Sequence, residues 1–412
     1  MDGVTVDTGT HTVAGDLARR DAVAASPAPA PARPSDTAAV RDVVRSAIDH
    51  GTRLRIVGKG TWLDAGRPVV DAQPLELDAL TGIVDYTPGD LTLTARAGTT
   101  LAEIAAATLP NGQWLTLAPW GGDHGSLGAA AATASTGPTG GALGTPRDIV
   151  IGVEVVTGTG DVIRGGGRVV KNVAGFDLTR LMIGAWGTLG VLTEVSVRLR
   201  GLPEHDVTVA IRLPANQAQL AELLTRLRTA SIAPIALELI DASLARRLEV
   251  GGEPLLVARL VGNDESVTAQ RVAVAELGDL SETDGKIWTT LRRAEPASAS
   301  VVRLSGPAGR LAEVWATATR LASSVNGGFA HASVLRPVAR VVLPNEEDTL
   351  APVAADALRA LTREARIFER LPAPLWESLA RTAVGDRLST GVRLAFDPER
   401  LLNPGILGEP PA

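Results

Sequence analysis

The spacing of apolar residues predicts a first unit of mixed helix and strand. Apolar side chains at helical spacing from Val40 to Ile48 predict a helix that follows an N-cap at Ser35 and ends at Gly51. Beyond it, apolar and polar residues alternate over short runs, which is typical of half-buried strands. These predicted strands cover residues 53–57, 82–86, 91–97, 148–156, 161–164 and 191–199. Thr100 and Glu103 have the spacing of a capping box for a further helix.

A second unit begins near His205, where the pattern of apolar residues starts again. Residues 207–213 and 235–240 alternate as strands, and Leu220, Leu223, Leu224 and Leu227 share one helix face. More strand segments lie near residues 300 and 335. At the other end of the chain, residues 1–34 close with AASPAPAPARP, a Pro/Ala tract that favours extended polyproline geometry, so we expect a flexible tail there.

Two glycine-rich segments are the candidate ligand-binding elements of the first unit. Residues 119–144 consist mostly of Gly, Ala, Ser, Thr and Pro, so the backbone amides are exposed to a ligand and suit an anionic diphosphate. A shorter loop, Gly58-Lys59-Gly60-Thr61, follows the predicted strand 53–57. A flexible linker is the alternative for 119–144, but the segment leads directly into a predicted hairpin. No strand–GxGxxG–helix unit is visible, which argues against a Rossmann fold.

Charge and cysteine content exclude several classes of function. The chain has 412 residues, a net charge of −6 and no basic block, which argues against nucleic acid as a partner. It has no cysteine, so it cannot form disulfides or hold a Cys-ligated zinc ion or iron–sulfur cluster. No run of eighteen apolar residues and no signal-peptide pattern is present, and we expect a cytoplasmic location.

Three stretches carry a resemblance to a known family: KNVAGFDL at 171–178, GTLGVLTEVSVRL at 187–199 and AFDPERLLNPG at 395–405. Together with the two glycine segments, they resemble the vanillyl-alcohol-oxidase-type, or PCMH-type, FAD-binding flavoproteins. The resemblance implies an α+β fold: a tail (1–34), a two-subdomain FAD-binding domain (35–203), an α+β cap domain (204–388) and a C-terminal segment (389–412) that returns to the flavin. Residues 165–199 resemble the FAD-binding subunits of bacterial glycolate oxidases.

The resemblance also implies which residues hold the cofactor. The loops 57–61 and 119–128 would wrap the diphosphate, 129–136 would pass the flavin, and the segment from Gly187 would line the adenine end. The implied set is Val57, Gly58, Lys59, Gly60, Thr61, Pro119, Gly122, Gly125, Ser126, Leu127, Gly128, Thr133, Gly187, Gly190, Val191 and Asn403. Some family members attach FAD to a His in the first loop, which has none here. We therefore expect non-covalent FAD, although His124 lies in the second loop.

The candidate catalytic residues are fewer than the cofactor-binding ones. His331 and Arg336, with Arg340, could bind a carboxylate and abstract a proton, as oxidation of a 2-hydroxy acid requires. His331 and Arg336 are separated by an odd number of positions, which instead favours opposite faces of a strand and a structural role for His331. Lys171 could stabilise reduced flavin or lie exposed. Related D-2-hydroxy-acid dehydrogenases bind a metal through paired His residues, but GGFAHASVLRP offers only one, so we expect no metal site.

The resemblance leaves three hypotheses for function. The chain could be the FAD-binding subunit of a glycolate oxidase complex, working with a second flavoprotein subunit and an iron–sulfur subunit on a small 2-hydroxy acid. It could instead be a non-catalytic FAD-containing subunit of such a complex. It could also be a stand-alone FAD-dependent 2-hydroxy-acid or sugar dehydrogenase. We expect any membrane contact, peripheral at the inner face of the cytoplasmic membrane, to come through partners.

Overall fold

A computed structural model describes residues 30–167, 177–345, 349–361, 366–380 and 384–409. Lys171 lies outside these residues. The described chain contains two large sheets, each with its own hydrophobic core. We call the elements around the sheet nearer the N-terminus the first domain and those around the other sheet the second domain.

In the described residues, the first domain combines five α-helices with nine strands. The helices are α1 (Thr37–His50), α2 (Leu101–Thr108), α3 (Leu127–Thr133), α4 (Pro146–Ile149) and α5 (Leu178–Met182). The strands are β1 (Leu54–Val57), β2 (Gln73–Glu76), β3 (Ile83–Thr87), β4 (Thr92–Arg96), β5 (Gln113–Trp114), β6 (Val150–Thr157), β7 (Val162–Gly166), β8 (Gly190–Arg198) and β9 (Arg200–Gly201). An antiparallel sheet has the order β3-β4-β8-β6-β7, whereas β1 and β2 form a separate parallel pair.

Local sequence signals explain most ends of these elements, with two corrections. Thr100 and Glu103 form the predicted capping box of α2. The N-cap of α1 is Asp36, whose Oδ1 accepts from the N–H of Ala39 at 2.8 Å, so the prediction of Ser35 is wrong by one residue. Strand β4 begins at Thr92 because Leu91 has a φ of 54°, which is not a strand conformation.

The second domain is built on an antiparallel sheet with the order β13-β10-β12-β11-β15-β16-β14-β17. Its strands are β10 (His205–Arg212), β11 (Ala236–Ile240), β12 (Leu255–Gly262), β13 (Leu280–Thr283), β14 (Ser300–Ser305), β15 (Phe329–Ser333), β16 (Val338–Leu343) and β17 (Arg366–Arg370). Its helices are α6 (Gln217–Thr229), α7 (Ala242–Arg247), α8 (Asp264–Ala275), α9 (Ile287–Arg292), α10 (Leu311–Ala322), α11 (Pro352–Ala360) and α12 (Leu375–Leu379).

The two faces of this sheet bury different partners. Helices α6, α10 and α11 share one core with the strands and cover one face. A second cluster, which includes Val301, Phe329 and Val342, receives Trp120 from the first domain. The sheet therefore presents one face to the glycine segment of the first domain.

The C-terminal part of the described chain packs against the first domain. Helix α13 (Arg387–Phe396) is followed by Leu401 and Leu402, which are buried in the core of that domain. Leu402 forms a parallel bridge with Leu54 of β1. This contact places the residues after Leu402 beside the first glycine loop.

The prediction of a flexible tail over residues 1–34 is wrong at the last of these residues. Ala32 donates its N–H to the carbonyl of Pro74 at 2.9 Å and accepts from the N–H of Glu76 at 2.8 Å. The extended geometry that a Pro/Ala tract favours lets Ala32 pair with strand β2. Pairing with the first domain thus begins before Ser35, and residues 1–29 lie outside the described chain.

Candidate functional site

Two glycine loops of the first domain meet beside α3. The first loop follows β1, and the second leads into α3, whose N-cap is Ser126. A Cβ atom added at Gly58 would lie 2.5 Å from Ser126 Oγ, and one added at Gly125 would lie 3.4 Å from Thr61 Oγ1. The absence of side chains at these positions allows the two loops to come together.

The first loop has unused hydrogen-bond donors. In the described part of the chain, no acceptor receives the backbone N–H groups of Gly58, Lys59, Gly60 or Thr61. The N–H groups of the second loop from Gly122 to Gly125 also lack an acceptor among the described residues. Backbone donors without internal partners, presented by two adjoining loops, suit the oxygens of a diphosphate.

A narrow cavity of about 90 Å³, which we call the loop cavity, lies along the first loop and α3. Many of the residues implied by the resemblance line it: Val57, Gly58, Lys59, Gly60, Thr61, Ser126, Gly128, Thr133, Gly187, Gly190 and Asn403. The sequence analysis missed Arg55 and Trp186, which also line it, and gave Trp62 no role in binding. The sequence signal that could have identified Trp186 is its position directly before Gly187.

Five residues of the implied set do not line the loop cavity. Leu127 and Val191 are fully buried in the core of the first domain, because the helix and the strand that carry them turn these apolar side chains inward. Pro119 and Gly122 contact Arg292 and Arg293 of the second domain instead. The fifth, Gly125, packs beside Thr61.

Asn403 joins the C-terminal segment to the loop cavity. Its Oδ1 accepts from the N–H of Ile56 at 2.8 Å, and its Nδ2 donates to the carbonyl of Trp186 at 2.7 Å. Asn403 is 3% exposed, so both hydrogen bonds are shielded from water. A Cβ at Gly187 would lie 2.9 Å from Asn403 Nδ2, and the φ of 69° at Gly187 also favours glycine. Asn403 thus ties three separate segments together at the cavity wall.

A larger space of about 750 Å³, the interface chamber, adjoins the loop cavity between the two domains. Trp62, Thr133, Trp186 and Ile406 line both spaces. The rings of Trp62 and Trp186 are stacked, with centroids 6.2 Å apart and an interplanar angle of 16°. The segment from Thr133 to Thr136 forms one wall of the chamber. The buried Oγ of Ser135 in this wall has no hydrogen-bond partner in the described residues.

The described lining of the interface chamber is strongly cationic. It contains five arginines: Arg67, Arg147, Arg303, Arg336 and Arg366. Glu369 is the one carboxylate in that described lining, and it is ion-paired with Arg303 at 2.9 Å and with Arg340. Such a chamber favours an anionic ligand.

Arg336 is the arginine of this chamber best able to bind a ligand. Within the described residues its guanidinium makes no hydrogen bond or ion pair, although it is half-buried. Burial lowers the pKa of Arg336, and the neighbouring positive charge of Arg303 lowers this pKa further. The negative charge of a bound carboxylate would offset both effects and raise this pKa again.

His331 does not line the interface chamber, so the structure separates it from Arg336, in agreement with the structural role that their odd spacing favours. The side chain is 4% exposed, and its Nδ1 lies 3.0 Å from Glu238 Oε2. The ring of Trp120 covers it at a centroid distance of 4.8 Å. His331 lies opposite Arg340 on the neighbouring strand, and Arg340 is held by Glu295 at 2.6 Å and by Glu369. His331 and Arg340 are therefore structural residues of the interface.

Two further predictions concern attachment and metals. His124 is exposed and lines neither the loop cavity nor the chamber. Among the described residues, no group of three or more His, Cys, Asp or Glu side chains is placed to hold a metal ion. In the same part of the chain, no helix has the length and apolar character required to cross a bilayer.

The geometry fits FAD in two respects. The unpaired N–H groups of the two loops are suited to the diphosphate, with Ser126, Gly128 and Gly187 lining the same cavity. The interface chamber can receive the flavin ring beside Thr133–Thr136. Non-covalent attachment remains a prediction.

Comparisons with known proteins agree with this interpretation. Residues 28–166 match the family described as FAD binding domain. Glycolate oxidase subunit GlcE of Escherichia coli is 36% identical over 56% of this chain and 66% of its own length, slightly under two thirds. Glycolate oxidase subunit GlcD of Bacillus subtilis is 26% identical over 90% of this chain and 87% of its own length.

The fold is also found in a solved structure of p-cresol methylhydroxylase with bound substrate. It superposes with a TM-score of 0.76 and 17% identity, covering 91% of this chain and 88% of that one. An identity this low shows a shared fold only. The match over residues 28–166 shows an FAD binding domain, and the cofactor of this chain is FAD.

Proposed function

We propose that this chain is the FAD-binding subunit of a 2-hydroxy-acid dehydrogenase complex of the glycolate oxidase kind. The observation that carries the proposal is the arginine-lined chamber, which adjoins the FAD site. A 2-hydroxy acid carries the negative charge that this chamber favours. The similarity to GlcE and GlcD supports glycolate, or a close relative of it, as the acid.

Each part of the site then has a separate task. The N–H groups of the glycine loops hold the diphosphate, and Asn403 fixes the cavity wall behind it. Arg336 binds the carboxylate of the acid, with the Ser135 hydroxyl available as a further donor. Oxidation to the 2-oxo acid releases two electrons and two protons, and FAD, when bound, takes up the electrons with the hydrogen from carbon. The hydroxyl proton needs a separate acceptor.

The described lining of the chamber offers no free proton acceptor. Glu369 is engaged by two arginines, and His331 is buried elsewhere. This arrangement favours a second candidate, in which the chain holds FAD but the oxidation takes place on a partner flavoprotein. In either case, electrons must leave through another polypeptide if they pass to Cys-ligated clusters, because this chain has no cysteine.

The first experiment measures reduction of the flavin in the purified, FAD-loaded chain under anaerobic conditions. We expect glycolate to bleach the flavin slowly or not at all when the chain is alone, and faster when the partner subunits are added. Rapid bleaching of the isolated chain would refute the second candidate. If Arg336→Gln then removed bleaching without loss of FAD, Arg336 would be assigned to the substrate.

The second experiment tests the complex itself. A tagged chain purified from its native cells should bring down a second flavoprotein and an iron-containing protein, detected by mass spectrometry and iron analysis. A lone, iron-free polypeptide with full glycolate-to-dye activity would contradict the proposal and favour a stand-alone dehydrogenase. In both preparations, acid precipitation should release the flavin because the first loop lacks a His.

A further inference from the structure

Arg292, the last residue of α9, reaches from the second domain to the second glycine loop. Its Nε donates to the carbonyl of Pro119 at 2.9 Å, and its Nη2 is ion-paired with Asp123. The backbone carbonyl of Arg292 also accepts from the N–H of Gly121 at 2.8 Å. One residue of the second domain therefore binds the loop at both ends of the stretch 119–123.

This stretch needs an external support. Gly121 and Gly122 have φ values of 91° and 89°, and glycines in such conformations leave a loop with many alternatives. On its other side, the loop is held by the first domain, where the carbonyl of Asp123 accepts from the N–H of Ala102 at 2.9 Å. The loop thus lies between two domains, each of which holds it through hydrogen bonds.

The contact lies directly beside the FAD-binding loops. A surface pocket of about 420 Å³ is lined by Gly60 and Thr61 of the first loop, by Gly121 of the second and by Arg292. Arg292 does not line the loop cavity itself. Its effect on the cofactor must therefore act through the position of the second loop.

We propose that Arg292 is a positioning residue for FAD. It holds residues 119–123 so that the free N–H groups of residues 122–125 meet the diphosphate. Because Arg292 belongs to the second domain, FAD affinity depends on the docking of that domain as well as on the first. The FAD site is consequently shared between two domains, although the residues that line the loop cavity come from the first domain and the C-terminal segment.

The charge pattern separates this role from a purely structural one. The side chain of Asp123 is 47% exposed, so its carboxylate can be solvated when Arg292 is removed. Loss of Arg292 therefore leaves no buried unpaired charge on Asp123. Arg292→Ala also removes a buried side chain and the donor to the Pro119 carbonyl, so some loss of stability is expected, and the loop loses a charge-assisted contact that fixes its conformation.

The experiment compares FAD binding in apoprotein variants, followed by the quenching of FAD fluorescence on titration. Arg292→Ala should weaken FAD binding about tenfold or more, which corresponds to the loss of one charge-assisted hydrogen bond. Arg292→Lys should show an intermediate loss, since a single ammonium cannot reproduce the planar fork that reaches Pro119 and Asp123 together. Arg271→Ala is the control, because the ion pair of Arg271 in α8 with Glu282 in β13 lies within the second domain.

Thermal unfolding of the apoproteins separates loop position from domain stability. We expect both variants to stay folded, with Arg292→Ala unfolding at a somewhat lower temperature than Arg271→Ala, while only Arg292→Ala loses FAD affinity in the folded state. Asp123→Ala provides a second variant if Arg292→Ala fails to fold, and the double variant should lose little more affinity than either single one. FAD affinity within twofold of wild type in folded Arg292→Ala, or in folded Asp123→Ala if that replaces it, would overturn the proposal.

Discussion

Replacement of Gly58 by alanine tests whether the contact between the two glycine loops sets FAD affinity. The new Cβ would lie 2.5 Å from Ser126 Oγ and 3.2 Å from Ala129 Cβ. The φ of Gly58 is not in the left-handed region, so the backbone itself accepts alanine. The effect must then come from the close approach, which is relieved when the loops move apart or when Ser126 gives up the rotamer that caps α3.

The size of the effect follows from the overlap. An ordinary contact needs about 3.4 Å or more, so the first loop must shift by roughly 1 Å, and overpacking of this kind costs about 1–3 kcal/mol. The shift displaces the free N–H groups of Lys59, Gly60 and Thr61 from the diphosphate. We expect FAD affinity to fall by about 5- to 150-fold.

The assay is FAD titration of the apoprotein, with two controls. Gly89→Ala places a methyl group where no atom lies within 4 Å and without left-handed strain, so it should bind FAD normally. Ser126→Ala removes the clashing Oγ, so the double variant Gly58→Ala/Ser126→Ala should recover part of the lost affinity. Normal FAD binding by Gly58→Ala, or no recovery in the double variant, would refute the reasoning.

Three further predictions concern other parts of the site and the fold. Arg336→Gln should raise the Kd for the acid, read from the perturbed flavin spectrum, by roughly tenfold or more without loss of FAD; an unchanged Kd would remove Arg336 from the substrate site. Asn403→Leu should destabilise the protein by about 1–3 kcal/mol and weaken FAD binding, because the buried N–H of Ile56 and the carbonyl of Trp186 lose their partner, and an unchanged unfolding midpoint would contradict this. Hydrogen bonds from the Thr100 hydroxyl and then from its backbone N–H lower the pKa of Glu103, so the stabilisation is present above the unfolded pKa near 4.5 and is lost as the pH falls through the folded pKa. Glu103→Gln should therefore destabilise the protein slightly at pH 7 and not at low pH, as measured by denaturant unfolding at each pH.

Local chemistry in the sequence determined the features that depend on neighbouring residues. Thr100 and Glu103 lie three residues apart, so a capping box follows from spacing alone. Strand β8 follows from the alternation in residues 191–199, and the use of glycine at 58–60 and 121–128 predicted loops with exposed amides. The family resemblance added FAD. One end of a predicted strand is wrong. Residues 148 and 149 belong to α4 because Thr145 and Asp148 cap that helix, so β6 begins at Val150.

The tertiary structure decided which distant residues share a site. Nothing in the sequence near Arg292 indicates that its guanidinium reaches Asp123, 169 residues away. Histidine is a residue type often used in catalysis, but Glu238 and Trp120 from other elements enclose His331. Arg303 lies on β14 and Arg336 in the turn before β16, the strand paired with β14, and both side chains line the interface chamber. Hydrogen-bonding and charge–charge contacts act over a few ångströms in space, and the packing of the two domains sets those distances independently of separation along the chain.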